Sequence, residues 1–305
     1  MSVSGDAKAR NVIWRGPDRA TDDECPMTAS SHPGFSAHGA TIPAVGFGTS
    51  PLTGGLSAEV VLAALKAGYR HIDTARKYGT EDAVGEAMRA SGVAREDIFL
   101  TTKVSHEYLR ADDFARSVDQ SLAALKVDYV DLLLVHWPNP AIELSETMPA
   151  LAKAKRQGLA RHIGVANFNI GLLDRAIAFC PEPLVALQAE YHPFLDQTKL
   201  LDAVRERGLV YVAYCPLGRG RLFEDPVLGG IAKARGRSIA QVALRWLLQQ
   251  DVASIPFSSN PQRIADNFKV FDFELSDEEM SRISALKRAG GRIANPSGRV
   301  SGGWD

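Results

Sequence analysis

From Ile42 onward, short apolar or β-branched runs alternate with longer stretches whose apolar positions recur at helical spacing. The runs are Ala44–Phe47, His71–Thr74, Ile98–Val104, Val130–Trp137, His162–Asn167, Val185–Tyr191, Leu209–Tyr214 and Ala253–Phe257, eight in all. Between them, residues 57–68 place Val60, Val61, Ala64 and Leu65 on one side, and residues 111–126 carry a stripe of Phe114, Val118, Leu122 and Leu125. Ser238 with Gln241, and Ser276 with Glu279, have capping-box spacing and predict two further helix starts. A run such as Val130–Val135 suits a strand buried on both faces, as in a parallel sheet. Eight strand–helix repeats predict an α/β fold, a (β/α)8 TIM barrel. A doubly wound dinucleotide sheet would need G-x-G-x-x-G after its first strand. Gly46-Phe47-Gly48-Thr49-Ser50-Pro51 breaks that pattern at its last position, and Gly218-Arg219-Gly220, followed by Arg221-Leu222-Phe223, breaks it too.

Length then narrows the organisation. The 305 residues predict one barrel domain over 39–305, preceded by an N-terminal extension over 1–38. That extension is polar, mixed in charge and without periodicity, so it is expected to be disordered, and Met27 offers a second possible start. It lacks the apolar core of a secretory signal. The net charge of −1 supplies no field for nucleic acid or an anionic membrane surface, and no run reaches the length of a membrane span. Cys25, Cys180 and Cys215 are too few and too scattered for a disulfide framework, which points to a reducing, cytoplasmic setting.

In such a barrel, chemistry sits where strands end. The second run ends in Asp73, with Tyr78 shortly after it; the third ends near Lys103; the fourth in His136-Trp137-Pro138. The later runs end in Asn167, in Gln188 and Glu190, and in Tyr214. Ionisable groups beside apolar strands are costly unless paired. Asp73, Tyr78, Lys103 and His136 come from neighbouring strands and form a candidate proton-delivery unit. A phenol with a pKa of about 10 is a poor acid at neutral pH, and a nearby ammonium lowers that value. Asp73 would hold Lys103 by a salt bridge, His136 would orient a carbonyl oxygen, and Tyr78 would protonate the developing alkoxide. Any one of these residues alone also fits a structural ion pair or a core histidine; their occurrence together favours chemistry.

The segments Gly46-Phe47-Gly48-Thr49, His71-Ile72-Asp73-Thr74-Ala75, Tyr78-Gly79, Thr102-Lys103 and Leu134-Val135-His136-Trp137-Pro138 fall in this order along the chain. They are followed by Ile163-Gly164-Val165-Ala166-Asn167-Phe168, Gln188-Ala189-Glu190-Tyr191-His192-Pro193 and Ala213-Tyr214-Cys215-Pro216-Leu217. Together they resemble the aldo-keto reductases over about residues 40–305, and within them the bacterial 2,5-diketo-D-gluconate reductase branch. The resemblance implies a barrel that binds NADP(H) and reduces an aldehyde or ketone, with hydride from the nicotinamide. It implies Tyr78 as proton donor, Lys103 and Asp73 as its support, and His136 as the carbonyl-orienting group.

For the cofactor, the resemblance implies Tyr214 stacked on the nicotinamide, Asn167 and Gln188 on its carboxamide, and Thr49 beside it. Leu217 and Gly218 fall where the family wraps the pyrophosphate, Arg263 where it clamps the adenosine phosphate, and Asp266 and Asn267 at the adenine edge. Ala166 stands where the family usually has serine. Phe257 stands where many members have a phosphate-binding lysine, leaving Ser258, Ser259 and Asn260 as neutral donors and predicting a weakened bias against NAD(H). Candidate substrate walls are Ser50, His136 and Trp137, with Lys77, Ser105, His106 and Trp304 near them. The small Ser50 opens the pocket and favours a hydroxylated or dicarbonyl substrate, such as a keto-sugar acid or methylglyoxal. The resemblance implies a monomer. The competing reading is an NADPH-binding barrel that acts as a redox sensor or regulatory subunit. A metal-dependent hydrolase fits poorly, because His71 and His162 open their strands at the far face and the other histidines lack convergent carboxylates.

Overall fold

The structure, a computed structural model, describes residues 14–15, 32–50, 52, 56–296, 298–300 and 302–305. Most of the expected N-terminal extension, with Met27 and Cys25, lies outside the described residues.

Eight parallel strands form one sheet: β4 (Phe47–Gly48), β5 (His71–Asp73), β6 (Phe99–Val104), β7 (Val130–Val135), β8 (Ala160–Ala166), β9 (Leu184–Glu190), β10 (Val210–Tyr214) and β11 (Val252–Ser254). Each pairs with its sequence neighbour. The first and last meet through a parallel bridge between Val45 and Ser254, with Gly46 N donating to Ser254 O at 2.8 Å and Ser254 N to Ala44 O at 2.9 Å. The sheet is therefore a closed barrel, and all eight predicted runs are its strands. Gly46 and Gly48 serve this closure. A Cβ at Gly46 would meet the His71 ring at 2.5 Å, and one at Gly48 would meet Ile255 O at 2.9 Å. The broken Gly-x-Gly pattern is a close-packing device between strands.

Helices alternate with the strands and cover them. The predicted stripes lie on α1 (Leu56–Lys66) and α3 (Ala111–Leu125). Both capping boxes form, on α8 (Ile239–Leu248) behind Ser238 and on α10 (Asp277–Ser284) behind Ser276. The run Val130–Val135 is buried throughout, as a parallel-sheet strand should be, yet it includes Asp131. That carboxylate is offset by Arg95 at 2.8 Å, Arg161 at 3.1 Å and the Leu100 N–H at 3.0 Å.

The domain boundary expected at residue 38 needs correction. Gly34–Ala37 (β2) pairs antiparallel with Ala40–Pro43 (β3), and Trp14–Arg15 (β1) pairs with β2. Residue 38 is the turn of this hairpin: His38 and Gly39 both have positive φ, 47° and 85°, as a two-residue hairpin turn matched to strand twist requires. Phe35 and Ile42 are fully buried. β3 leads straight into the barrel, so the hairpin packs at the end where strands begin. Burial of about 25 cal/mol per Å2 on two such side chains accounts for its attachment.

Candidate active site at the strand ends

The opposite end of the barrel opens into a cleft of about 1120 Å3. That exceeds the usual small-ligand range of roughly 300–1,000 Å3 and leaves room for a dinucleotide with a small substrate. Asp73, Tyr78, His136, Trp137, Asn167, Gln188, Tyr214, Leu217, Ser258, Arg263, Asp266, Asn267 and Ser50 all line it.

The four proton-unit residues converge. Lys103, fully buried, donates from Nζ to Asp73 Oδ1 at 2.5 Å and to Thr74 O at 2.8 Å. The same ammonium lies 5.4 Å from the Tyr78 ring centroid, and the Tyr78 and His136 rings meet edge to face at 5.5 Å. Burial pulls the Lys103 pKa down, but Asp73 and Tyr78 outweigh it and leave the group raised and charged. Burial raises the Tyr78 phenol, Lys103 pulls it down by less, and the net direction is upward. Lys103 thus acts in the expected direction, lowering the phenol, but burial raises it by more. His136 is held well below the ordinary imidazole value by burial and by Lys103, Lys77, Arg299 and His106, so the ring is neutral at physiological pH. Its Nδ1 has no hydrogen-bond partner among the described residues.

A second layer of amides joins these groups to the cofactor wall. Gln188 Nε2 donates to Asp73 Oδ2 at 2.8 Å. Asn167, with φ of 64°, donates from Nδ2 to His136 O at 2.9 Å and accepts from the Tyr214 hydroxyl at 2.7 Å. Both amides, expected to face a nicotinamide carboxamide, already hold partners. Gln188 Oε1 with its second Nε2 hydrogen, and the second Nδ2 hydrogen of Asn167, are what remain for a ligand. Thr49 and Gly218 are buried and do not line the cleft, and Thr49 Oγ1 has no hydrogen-bond partner among the described residues.

At the far end, α9 (Pro261–Phe268) points its N-terminus at the cleft, capped by Asn260 Oδ1, which accepts from Arg263 N at 3.0 Å. Arg263 Nε donates to Ser258 Oγ at 3.4 Å, and Phe257 lines the cleft beside them. The loop after β10 holds Cys215 and Arg219 at φ of 49° and 51°, left-handed conformations that cluster at functional sites. An aromatic wall at Tyr214, hydroxyl and amide donors, and a cation at a helix N-terminus match the needs of an extended dinucleotide phosphate. Among the described residues, no group of histidine, cysteine and carboxylate side chains is arranged to hold a metal.

The sequence pointed to Trp304 near the substrate walls, but not to the rest of the C-terminal segment that roofs this cleft. Ala294 and Arg299 line it, and Trp304 packs edge to face on Trp137 at 6.2 Å. Of the proposed walls, Lys77 is paired with Glu107 at 2.9 Å, while Ser105 and His106 lie behind the lining.

A closed (β/α)8 barrel with acid–base groups at its strand ends and a cleft of dinucleotide size defines a barrel enzyme with room for a dinucleotide cofactor. A model of the aldo/keto reductase family matches residues 44–288, and the chain belongs to that family. The chain is 43% identical over 252 residues to an aldo-keto reductase of Mycobacterium sp. (strain MCS), covering 81% of this chain and 88% of that one. It is 38% identical over 268 residues to the methylglyoxal reductase DkgB of Salmonella typhi, covering 87% of this chain and all of that one. A crystal structure described as a candidate 2,5-diketo-D-gluconic acid reductase B superposes with a TM-score of 0.88 at 44% identity, over 91% of this chain and 99% of that one. The Bombyx mori aldo-keto reductase AKR2E4, solved with NADP, superposes at 0.79 and 34% identity, over 84% and 93% of the two chains. The protein is accordingly an NADP(H)-dependent oxidoreductase acting on small carbonyl compounds.

Proposed function

We propose that the protein reduces an aldehyde or ketone to the alcohol with Tyr78 as proton donor, the substrate being an α-dicarbonyl or a keto-sugar acid. The convergence of Tyr78, Lys103, Asp73 and His136 on one point of the cleft carries this reading. NADPH, when bound, supplies the hydride. Tyr214, Gln188 and Asn167 would hold its nicotinamide end, and Arg263, Ser258, Asp266 and Asn267 its adenosine phosphate end. His136, neutral, donates an N–H to the carbonyl oxygen and orients it. Tyr78 passes its phenolic proton to that oxygen as negative charge builds there. The Lys103 ammonium stabilises the phenolate left behind, and Asp73 fixes the ammonium. The proton is regained from solvent. The protein acts as a monomer, one barrel domain, in the cytoplasm; both described cysteines, Cys180 and Cys215, are free.

NADPH oxidation followed at 340 nm over a panel of aldehydes, α-dicarbonyls and keto-sugar acids tests the reading. Turnover of at least the dicarbonyls or keto acids is expected. Tight NADPH binding without oxidation of any compound would move the protein to the sensor reading. The cofactor end yields a separate expectation. A charge-assisted contact to the 2′-phosphate is worth about ten- to a hundredfold in affinity. Arg263→Ala should therefore weaken NADPH binding by that factor in a fluorescence titration and NADH binding much less. Equal losses for both would sink the clamp.

A further inference from the structure

The charges at the substrate end of the cleft do not balance. Lys103 is matched by Asp73, and Lys77 by Glu107. Glu107 also accepts a hydrogen bond from Ser105, and its carboxyl is held at about 2 by that bond first and by Lys77 second, so it stays ionised. Arg299 lines the same cleft and has no carboxylate partner among the described residues. Its guanidinium carbon lies 5.9 Å from the centre of the Trp137 ring, within cation–π range.

The tail carrying Arg299 is fastened on both sides of it. On one side, the fully buried Glu190 at the end of β9 accepts from Ile293 N at 2.7 Å and Ala294 N at 2.6 Å, with His192 Nε2 at 3.0 Å. On the other, Asn169 donates to Gly303 O at 2.7 Å and Asp305 accepts from Ile170 N at 2.9 Å. Trp304 is clamped between Trp137 and Arg292, whose guanidinium lies 3.6 Å from its ring centre. The unmatched cation is thus presented from a tethered segment, half-buried, next to the carbonyl-orienting His136 and Trp137.

We propose that Arg299 is a specificity-determining residue that receives a carboxylate on the substrate, so that the preferred substrates are carbonyl compounds carrying an acid group. This rests on the carbonyl-reductase reading and goes beyond it by assigning the anion subsite. A planar guanidinium matches a carboxylate with two parallel N–H bonds, and the Trp137 ring holds its plane. Lys77, the other cation on this wall, does not compete for that role, because Glu107 already occupies it.

The test compares succinic semialdehyde with its methyl ester, which share a reacting aldehyde and a flexible chain but differ in charge. In Arg299→Leu the acid-to-ester ratio of kcat/KM should fall about ten- to a hundredfold, mainly through KM of the acid. Arg299→Lys should recover part of the ratio. In the wild type, added salt should lower kcat/KM for the acid more than for the ester. An unchanged ratio would show a merely solvated arginine. Equal losses on both compounds, unrepaired by lysine, would reduce it to a tail support. A wild type that turns over the dicarbonyl panel but does not prefer the acid to the ester would overturn the subsite; failure on both compounds and on the whole panel would instead overturn the underlying reading.

Discussion

Replacing Tyr78 by phenylalanine should lower kcat for carbonyl reduction by about a hundred- to ten-thousandfold, the usual contribution of a positioned general acid. The ring packing on His136 would survive, since only the hydroxyl is removed. NADPH affinity, read by fluorescence quenching, should change little. A companion expectation concerns pH. A proton donor acts only while protonated, so reduction is lost as pH rises through the phenol's pKa. Burial sets that pKa above its ordinary value despite Lys103, and His136 titrates well below its own. The profile of kcat should therefore be flat from about pH 6 to 9 and fall only on the alkaline side. A limb near the ordinary histidine value would show that His136 ionises during turnover. Full activity in Tyr78→Phe would end the case for this donor.

The barrel and its acid–base groups were legible because each leaves a local signature. Buried parallel strands read as apolar runs, and an ionisable residue ending such a run stands out against them. Asp73, Lys103 and His136 were found this way. Asp131 was invisible by the same criterion, being one polar letter within a run, because the cations that offset it, Arg95 and Arg161, lie on other segments. The roof of the cleft left still less trace. Glu190 binds backbone N–H groups of Ile293 and Ala294, about a hundred residues away, and backbone donors look alike at every position. Arg299 is a cation in a glycine-rich tail with no periodicity, and only the fold brings it to the cleft. The hairpin around residue 38 was hidden by its brevity: four-residue strands such as Gly34–Ala37 and Ala40–Pro43 give too few alternations to read. The amides of Asn167 and Gln188 line the cleft, but their partners within the protein depend on strand register.

Lys103→Met should affect both chemistry and stability, and the two effects can be separated. The wild-type ammonium is fully buried and bonded at 2.5 Å to a carboxylate that is itself buried. Methionine matches its length but leaves Asp73 without a counter-charge, a loss of about 3–5 kcal/mol for a broken buried pair. Thermal unfolding should shift down on the order of 10 °C for a domain of this size. Gln188 still donates to Oδ2 and moderates the loss. Catalysis fails for another reason: the phenolate left after proton transfer would face burial without the ammonium that offsets it, and the Tyr78 pKa would rise further. We expect kcat to drop by about a hundredfold or more. Adding Asp73→Asn removes the stranded charge, so the double variant should regain much of the lost stability. It should regain none of the activity, because the phenol still lacks its cation. Recovery of both together would mean that Lys103 serves the fold alone; stability restored with kcat still low assigns the ammonium to the proton transfer itself.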